Sequence, residues 1–292
     1  MIQVKPYEFM TKYTPQTEWI RGGGIFICIA FFAIELGGGT FVFSSIFSNL
    51  LGMAIGFVLT ALGALFFLVH LGRPVAAIRA VLKPQNSWIS RGVLFISTFL
   101  ILAFISIVLL WFKINPPVAL LAITGIIGFF MMIYAGFAMN SVNGIPFWNT
   151  PLVPILLAIS GSWAGAEITL ATSMLAGSFT TIAPQLEEFI RILLVFFIFI
   201  FAVYMLNARF GAPAGQASVK EIVSGKSKWL FWIVIVVLGV IFPLAVVAYS
   251  FVTPLEIIKP LLILAVITEL VGDFTLRYLI MRNAFYSPLT PV

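Results

Sequence analysis

The chain has 292 residues, of which 62% are hydrophobic and only 9% are charged, with a net charge of +6 and a mean hydropathy of +1.15. A soluble domain carries about 25% charged residues, so this composition excludes a protein whose whole surface faces water. The apolar runs are continuous rather than alternating, which predicts an integral membrane protein built from helices.

Eight apolar runs of membrane-spanning length follow one another along the chain, and each predicts a helix. In chain order they cover residues 20–43, 50–70, 92–112, 117–139, 151–176, 189–208, 229–251 and 255–281. Prolines, Pro184 among them, lie between these runs or at their edges, where a missing backbone N–H weakens a helix least. The sequence therefore predicts an all-α protein with eight transmembrane helices.

Lysine and arginine divide unequally between the two membrane faces. Eight crossings place both termini on one face, which we call face A, and the opposite face is face B. Of the sixteen Lys and Arg residues, thirteen fall on face A, and only Lys113, Arg191 and Lys259 fall on face B. Positive charge collects on the cytoplasmic side, which predicts an inner-membrane protein with both termini in the cytoplasm. Docking of an acidic subunit is an alternative explanation for the basic face A. We expect no nucleic acid partner.

Metal-binding side chains are scarce, since the chain has one cysteine, Cys28, and one histidine, His70. Iron–sulfur clusters need several thiolates, and a transmembrane haem normally needs a pair of axial ligands. We therefore expect no haem, cluster or other metal held by this chain. Any redox role would use a diffusible carrier.

Four segments carry a more specific pattern, and they lie mainly towards face A. They are VHLGRPVAAIRAVLKPQNSWISRG (Val69–Gly92), IYAGF (Ile133–Phe137), GIPFWNTPLVPILLAISG (Gly144–Gly161) and ELVGDFTLRY (Glu269–Tyr278). Together they resemble the NrfD/PsrC family, the quinone-reactive membrane subunits of polysulfide-reductase-like complexes. The resemblance spans nearly the whole chain, with eight helices in the same order.

The resemblance implies a membrane anchor subunit of a respiratory molybdenum or tungsten oxidoreductase. Such a subunit exchanges electrons between a quinone (menaquinone or ubiquinone) and a ferredoxin-like iron–sulfur subunit. The iron–sulfur subunit in turn serves a molybdopterin catalytic subunit. The family's quinone tyrosine falls on Tyr134. The family's site also uses an Asn and a His on the first helix, and the first run of this chain contains neither. This chain alone would perform only the quinone half-reaction.

Quinone exchange moves two electrons and two protons, so it needs hydrogen-bond donors and a proton route. Tyr134 could donate to a quinone carbonyl while its ring stacks on the headgroup, although an interfacial belt tyrosine is the alternative. His70, at the end of the second run, suits proton exchange or simply favours the helix dipole. Arg73 and Arg91 would line the quinone pocket, pin the loop through backbone carbonyls or carboxylates, or contact a partner subunit.

Four acids lie inside apolar runs and are candidates for a proton path to the quinone. Glu35 is about 24 Å along its helix from Trp19, and Glu167 is about 24 Å from Pro151, which predicts two carboxylates at equal depth towards face B. Glu269 and Asp273 follow on the last helix, and Arg277 continues their stripe. The alternative is buried structural pairing, which we expect for Arg277 with Asp273. The glycines Gly37–Gly39 beside Glu35 would leave room for water or for close helix packing.

The matching depths of Glu35 and Glu167 suggest two four-helix halves, residues 1–150 and 151–292. HLGRP at the end of the second run and RFGAP (Arg209–Pro213) at the end of the sixth run support them. Intramembrane acids, glycine-rich helices and related halves are also traits of a proton-coupled secondary transporter, which is the main alternative function. A passive anchor that binds no quinone is a third possibility.

Overall fold

The computed structural model describes residues 8–70, 84–85, 87–254 and 256–290, and this part of the chain is predominantly helical. A four-residue helix (Glu8–Thr11) and a 3₁₀ turn (Gly22–Gly24) come first. The longer helices are α1 (Ile25–Ile46), α2 (Leu50–His70), α3 (Trp88–Trp111), α4 (Val118–Asn140), α5 (Leu152–Leu175), α6 (Phe179–Phe210), α7 (Pro213–Val223), a π-helical segment (Leu230–Ile241) continued by α8 (Phe242–Ser250), and α9 (Lys259–Arg282).

Seven of the described helical segments are long and apolar enough to cross a membrane. They are Gly22–Ile46, α2, α3, α4, α5, α6 and Leu230–Ser250. The chain is therefore a multi-pass membrane protein. The eighth predicted run does form a helix, α9, but its charged residues, Glu269, Asp273 and Arg277 among them, leave it no long stretch as poor in charge as those of the other seven. Its crossing stays a prediction.

Two helix starts differ from the prediction for local reasons. Helix α1 begins at Ile25 instead of residue 20, because the chain first passes through a turn in which Gly22 has a φ of +58°, a left-handed conformation that glycine adopts without strain. Helix α3 begins at Trp88 instead of residue 92, because the Ser87 side chain accepts a hydrogen bond from the Ser90 N–H (3.4 Å) and caps the helix there.

Helix α6 is much longer than its apolar run, since it begins at Phe179 rather than at residue 189. The prediction that Pro184 lies outside a helix was therefore wrong. Pro184 is the sixth residue of α6 and removes only the N–H that would reach back to Thr180, close to the helix start where few bonds are lost. Phe179 and Leu186 are buried, and their packing keeps this first part of the helix on the protein.

Helix α1 packs closely against three other helices through its three consecutive glycines. A Cβ atom at Gly37 would lie 2.6 Å from the Gly56 carbonyl oxygen of α2, and one at Gly38 would lie 2.7 Å from the Gly128 carbonyl oxygen of α4. Gly39 meets the backbone of Gly161 in α5. The glycines therefore serve close packing, one of the two predicted uses, and α1 continues through them without a break.

The two ends of the described chain lie side by side. Thr14–Pro15 pairs antiparallel with Phe285–Tyr286, and the Gln16 N–H donates to the Ala284 carbonyl (2.7 Å). The Phe285 N–H also donates to Ser218 Oγ of α7 (3.2 Å). Helix α7, which the sequence did not predict, thus joins the terminal strands in a cap at one end of the helices.

Candidate functional site

Tyr134 lies in an aromatic cluster near the end of α4. It is six residues, or about 9 Å, from the end of the helix, and it is 4% exposed. The rings of Phe31 (5.7 Å between centroids) and Phe67 (6.5 Å) approach it nearly edge-on. Gly92 of α3 lies against its ring and hydroxyl, and any side chain there would overlap the ring. No hydrogen bond joins the Tyr134 hydroxyl to a described residue.

Arg91 anchors the chain that precedes α3, beside the aromatic cluster around Tyr134. Its Nε donates to the Pro84 carbonyl and its Nη2 to the Gln85 carbonyl, both at 2.8 Å. Its guanidinium lies 4.4 Å from the centre of the Trp88 ring, which in turn stacks on Phe137 (4.5 Å). Of the roles considered for Arg91, the structure places it on backbone carbonyls. Arg73 lies outside the described residues.

His70 closes α2 onto the turn that precedes α1. Its Nδ1 lies 2.9 Å from the Gly23 carbonyl oxygen. Because a carbonyl only accepts, Nδ1 carries the proton of this bond, and the other ring nitrogen, Nε2, is left for a further contact. His70 is exposed, and it lies one helical turn beyond Phe67, which contacts Tyr134. No contact between His70 and Tyr134 themselves is described.

A buried ionic cluster joins three helices. Arg277 of α9 forms a two-pronged salt bridge with Glu35 of α1, in which Nε donates to Oε2 (2.9 Å) and Nη2 to Oε1. Arg277 Nη1 also pairs with Asp273, as predicted. Ser160 of α5 accepts from Arg277 Nη2 (3.0 Å) and donates to Asp273 Oδ1. Arg277 and Glu35 are 3% and 0% exposed, so the cluster is shielded from water.

Glu35 and Glu167 do not lie at equal depth, and that prediction was wrong. Helices α1 and α5 run in the same direction, with Glu35 against Gly161 and Ser44 bonded to Thr169. Glu35 is thus level with Gly161, and Glu167 lies six residues, or about 9 Å, further towards face B. The error arose because the distance was counted from Trp19, in the turn before α1, so that Glu35 in fact lies at mid-helix.

Three of the predicted acids keep a carboxyl oxygen without a partner, and so does the buried Glu187. Glu167, Glu269 and Asp273 are 3%, 3% and 5% exposed, and Glu167 Oε2, Glu269 Oε2 and Asp273 Oδ2 have no hydrogen-bond partner among the described atoms. The indole Nε1 of Trp163, one turn before Glu167, is also unpartnered. Buried polar atoms without partners are rare in proteins and mark places where a proton, water or ligand acts. In the cluster around Arg277, both Glu35 oxygens are therefore paired, whereas Asp273 Oδ2 is not.

Hydroxyl and amide groups continue the polar surface from Glu167 towards face B. Ser44 of α1 bonds Thr169 of α5 (2.9 Å), and Asn49 Nδ2 donates to Thr172 Oγ1 (2.9 Å). All four side chains are at most 4% exposed. They form a buried polar seam between α1 and α5 within otherwise apolar surroundings.

Sequence reasoning missed the Glu35–Arg277 pair and the role of Ser160. The sequence contained a signal for the pair, because Arg277 lies inside an apolar run, one turn after Asp273 and two turns after Glu269, and a buried cation requires partners. Nothing in the sequence distinguished Ser160 from other helix serines. The Gly92 contact was likewise hidden, since a glycine shows its purpose only through what it faces.

Two comparisons with known proteins agree with this architecture. The family model described as "Polysulphide reductase, NrfD" matches residues 22–287. The "Protein NrfD homolog" of Haemophilus influenzae is 23% identical, over 79% of this chain and 80% of the relative. The match includes every membrane-spanning helix, together with Tyr134 and the cluster around Arg277. The chain belongs to the NrfD polysulphide reductase family.

Proposed function

We propose that this chain is the quinone-reactive subunit of a respiratory membrane complex. It would pass electrons between a menaquinone or ubiquinone and a ferredoxin-like iron–sulfur subunit, which serves a molybdopterin catalytic subunit. The observation that carries the proposal is Tyr134, a buried tyrosine in an aromatic cluster about 9 Å from the helix end, in a chain of the NrfD family. That depth lets a headgroup enter while its tail stays in lipid.

The residues around Tyr134 suit a flat aromatic headgroup. Phe31 and Phe67 provide apolar ring edges, and the lack of a side chain at Gly92 lets the tyrosine ring pack directly against α3. A bound quinone would supply the two-electron, two-proton chemistry. The Tyr134 hydroxyl would donate a hydrogen bond to one carbonyl, and His70 Nε2, on the exposed end of α2, would exchange protons near the membrane surface. Arg91 would act indirectly by fixing the chain before α3.

The buried acids supply a proton route in this proposal. Glu35 lies on the route, but both of its oxygens are paired with Arg277. Glu167, Glu269 and Asp273 each have one carboxyl oxygen without a hydrogen-bond partner. The seam of Ser44, Thr169, Thr172 and Asn49 would extend the route to face B. Protons would then reach the quinone site from the face opposite the termini.

The arrangement in the membrane is part of the proposal. Pairing of Thr14–Pro15 with Phe285–Tyr286 requires both ends on one face, which seven crossings would not allow, so α9 would be the eighth crossing. We assign residues 1–150 and 151–292 to two four-helix halves in the inner membrane. The excess of Lys and Arg on face A favours cytoplasmic termini.

Copurification followed by a quinol assay tests this function. We expect the tagged chain to bring down an iron–sulfur protein whose clusters are reduced by quinol. Tyr134→Phe should lower that rate at least about tenfold, which corresponds to about 1.4 kcal/mol of lost stabilisation, because the ring remains but the donor is lost. Tyr249→Phe is the matched control, since Tyr249 is about half exposed on α8.

Two results would overturn the proposal. An unchanged quinol-dependent rate in Tyr134→Phe would remove the tyrosine from the site. A chain that purifies alone and drives proton-coupled solute uptake in vesicles would instead establish the transporter alternative.

A further inference from the structure

Two intramembrane glutamates that look alike in the sequence have different surroundings in the structure. Glu35 places both carboxylate oxygens on the Arg277 guanidinium. Glu167 makes no salt bridge, and its Oε2 lacks any hydrogen-bond donor among the described residues. Both side chains are at least 97% buried. They should therefore differ in charge.

The charge count around Arg277 leaves no cation for Glu167. The side chains that can carry a charge on the helices packed against α5 are Glu35 on α1, His70 on α2, Glu187, Glu188, Arg191 and Arg209 on α6, and Lys259, Glu269, Asp273, Arg277 and Arg282 on α9. Arg277 already serves Glu35 and Asp273, so those three ionised groups sum to −1. Arg191 is taken by Glu187 (3.1 Å).

An ionised Glu167 would add a second negative charge to this dry region. The negative charge of Asp273 also acts against ionisation of Glu167. An isolated buried carboxylate is disfavoured by several kcal/mol or more, so a carboxyl group without a partner cation keeps its proton. Trp163 Nε1, one turn away on α5, is a neutral donor that faces Glu167 and brings no countercharge.

We propose that Glu167 is a neutral, protonated carboxylic acid at neutral pH, and that it is a site at which a hydrophobic carbodiimide modifies this chain. Such reagents dissolve in the bilayer and react with protonated carboxyl groups, while carboxylates held in salt bridges are spared. The assignment makes Glu167 the proton-bearing group of the route and Glu35 a fixed counter-ion. Its carrier role rests on the proposed function above, whereas its protonation does not.

The reaction is an addition and needs no further reagent. The acid proton of Glu167 moves to one carbodiimide nitrogen, and the carboxyl oxygen bonds to the central carbon. Migration of the acyl group to nitrogen then gives a stable N-acylurea. No atom leaves, and no electrons are transferred to another molecule.

Labelling of the intact complex in native membranes tests the assignment. Vesicles are treated at neutral pH with dicyclohexylcarbodiimide, and the modified peptides are identified by mass spectrometry. We expect the adduct on Glu167 at a yield at least about tenfold above that on Glu35 or Glu187. The adduct should disappear from the helix α5 peptide in Glu167→Gln and persist in Glu35→Gln.

Infrared spectroscopy gives an independent reading that needs neither the reagent nor activity. The carbonyl stretch of a protonated carboxyl group is distinct from carboxylate bands, and we expect Glu167→Gln to remove one such signal while Glu35→Gln removes none. An unlabelled Glu167, whichever other acid reacts, or an unchanged infrared band in Glu167→Gln would overturn the assignment. Quinol-dependent turnover is scored separately, so loss of the proposed function would not alter either reading.

Discussion

At the level of single residues, Arg277 stabilises the interior by serving two helices at once. It pairs with Glu35 on α1 and with Asp273 on its own helix, and it also donates a hydrogen bond to Ser160 of α5. Because the cluster is buried, its members depend on one another much more than surface ion pairs do. Removing the cation would leave two carboxylates without compensation.

Arg277→Met should therefore be strongly destabilising. We expect a loss of about 3–5 kcal/mol, the usual effect of breaking a buried ion pair from one side. Thermal unfolding in detergent, followed by tryptophan fluorescence, measures the loss. Arg282→Met is the control, since Arg282 lies on the same helix but is exposed, and among the described residues it bonds only Tyr278. Equal unfolding temperatures for the two variants would contradict a stabilising role for the cluster.

Gly92 is predicted to set the position of the Tyr134 ring. Gly92→Ala would push its methyl group into that ring, and overpacking of this kind costs about 1–3 kcal/mol. We expect a raised KM for quinol, because the displaced hydroxyl no longer meets the carbonyl. Steady-state quinol oxidation measures it. Gly125→Ala on α4 is the control, as no atom lies within 4 Å of an added Cβ there. A KM that rises equally in both variants would count against a specific effect on Tyr134.

The sequence identified the residue types of the site more successfully than their partners. Tyr134 and Glu35 were singled out from motif and charge, and the Arg277–Asp273 pair followed from helical spacing. The Glu35–Arg277 pair did not, because it depends on which helices pack together and at what relative height. A helix start misplaced by five residues shifted Glu35 by about 7 Å, which is enough to hide the match.

At the level of elements, α1 is the helix on which α2, α4 and α5 pack. Its glycines at positions 37, 38 and 39 face α2, α4 and α5 in turn. Without a hydrophobic driving force in lipid, such contacts depend on backbones approaching closely. The same device recurs where Gly239 of the π-helical segment meets Gly272 of α9, directly before Asp273.

Gly39→Ala should disrupt the α1–α5 contact. The new methyl group would meet the backbone of Gly161, which has no flexible side chain to move aside. We expect about 1–3 kcal/mol of destabilisation and a lower yield of folded protein, measured by size-exclusion chromatography and thermal unfolding. Gly23→Ala, in the turn before the same helix, has its nearest neighbour at 3.9 Å and serves as the control. A wild-type unfolding temperature for Gly39→Ala would show that the close contact between α1 and α5 does not contribute to stability.

Helix existence was predictable from hydropathy, but helix limits were not. The start of α6 at Phe179 depends on tertiary burial of Phe179 and Leu186, which overrides the proline at position 184. The apolar pattern of Leu230–Ile241 predicts a helix, but it does not distinguish a π-helix from an α-helix. The cap helix α7 is amphipathic and short, so its stability depends on what it packs against.

For the whole molecule, the paired terminal strands fix a topology that can be measured. Cys28 is 0% exposed, so cysteines introduced elsewhere should react without background. We expect Thr11→Cys and Leu289→Cys to react with a membrane-impermeant maleimide from the same side, and Asn115→Cys from the other side, in intact spheroplasts compared with inverted vesicles. Reaction of Thr11→Cys and Leu289→Cys from opposite sides would contradict eight crossings.

The bond between Glu35 and Arg277 has a consequence for how the molecule is made. The two residues are separated by 242 positions, and ribosomes add about 5–20 residues per second. The first helix thus waits roughly 12–48 seconds in the bilayer before the last one emerges. During that interval its acid has no guanidinium to meet, so we expect α1 to integrate with Glu35 uncharged. Ionisation would then accompany docking of the final helix, and the nascent protein would complete its interior by a proton release at the end of synthesis.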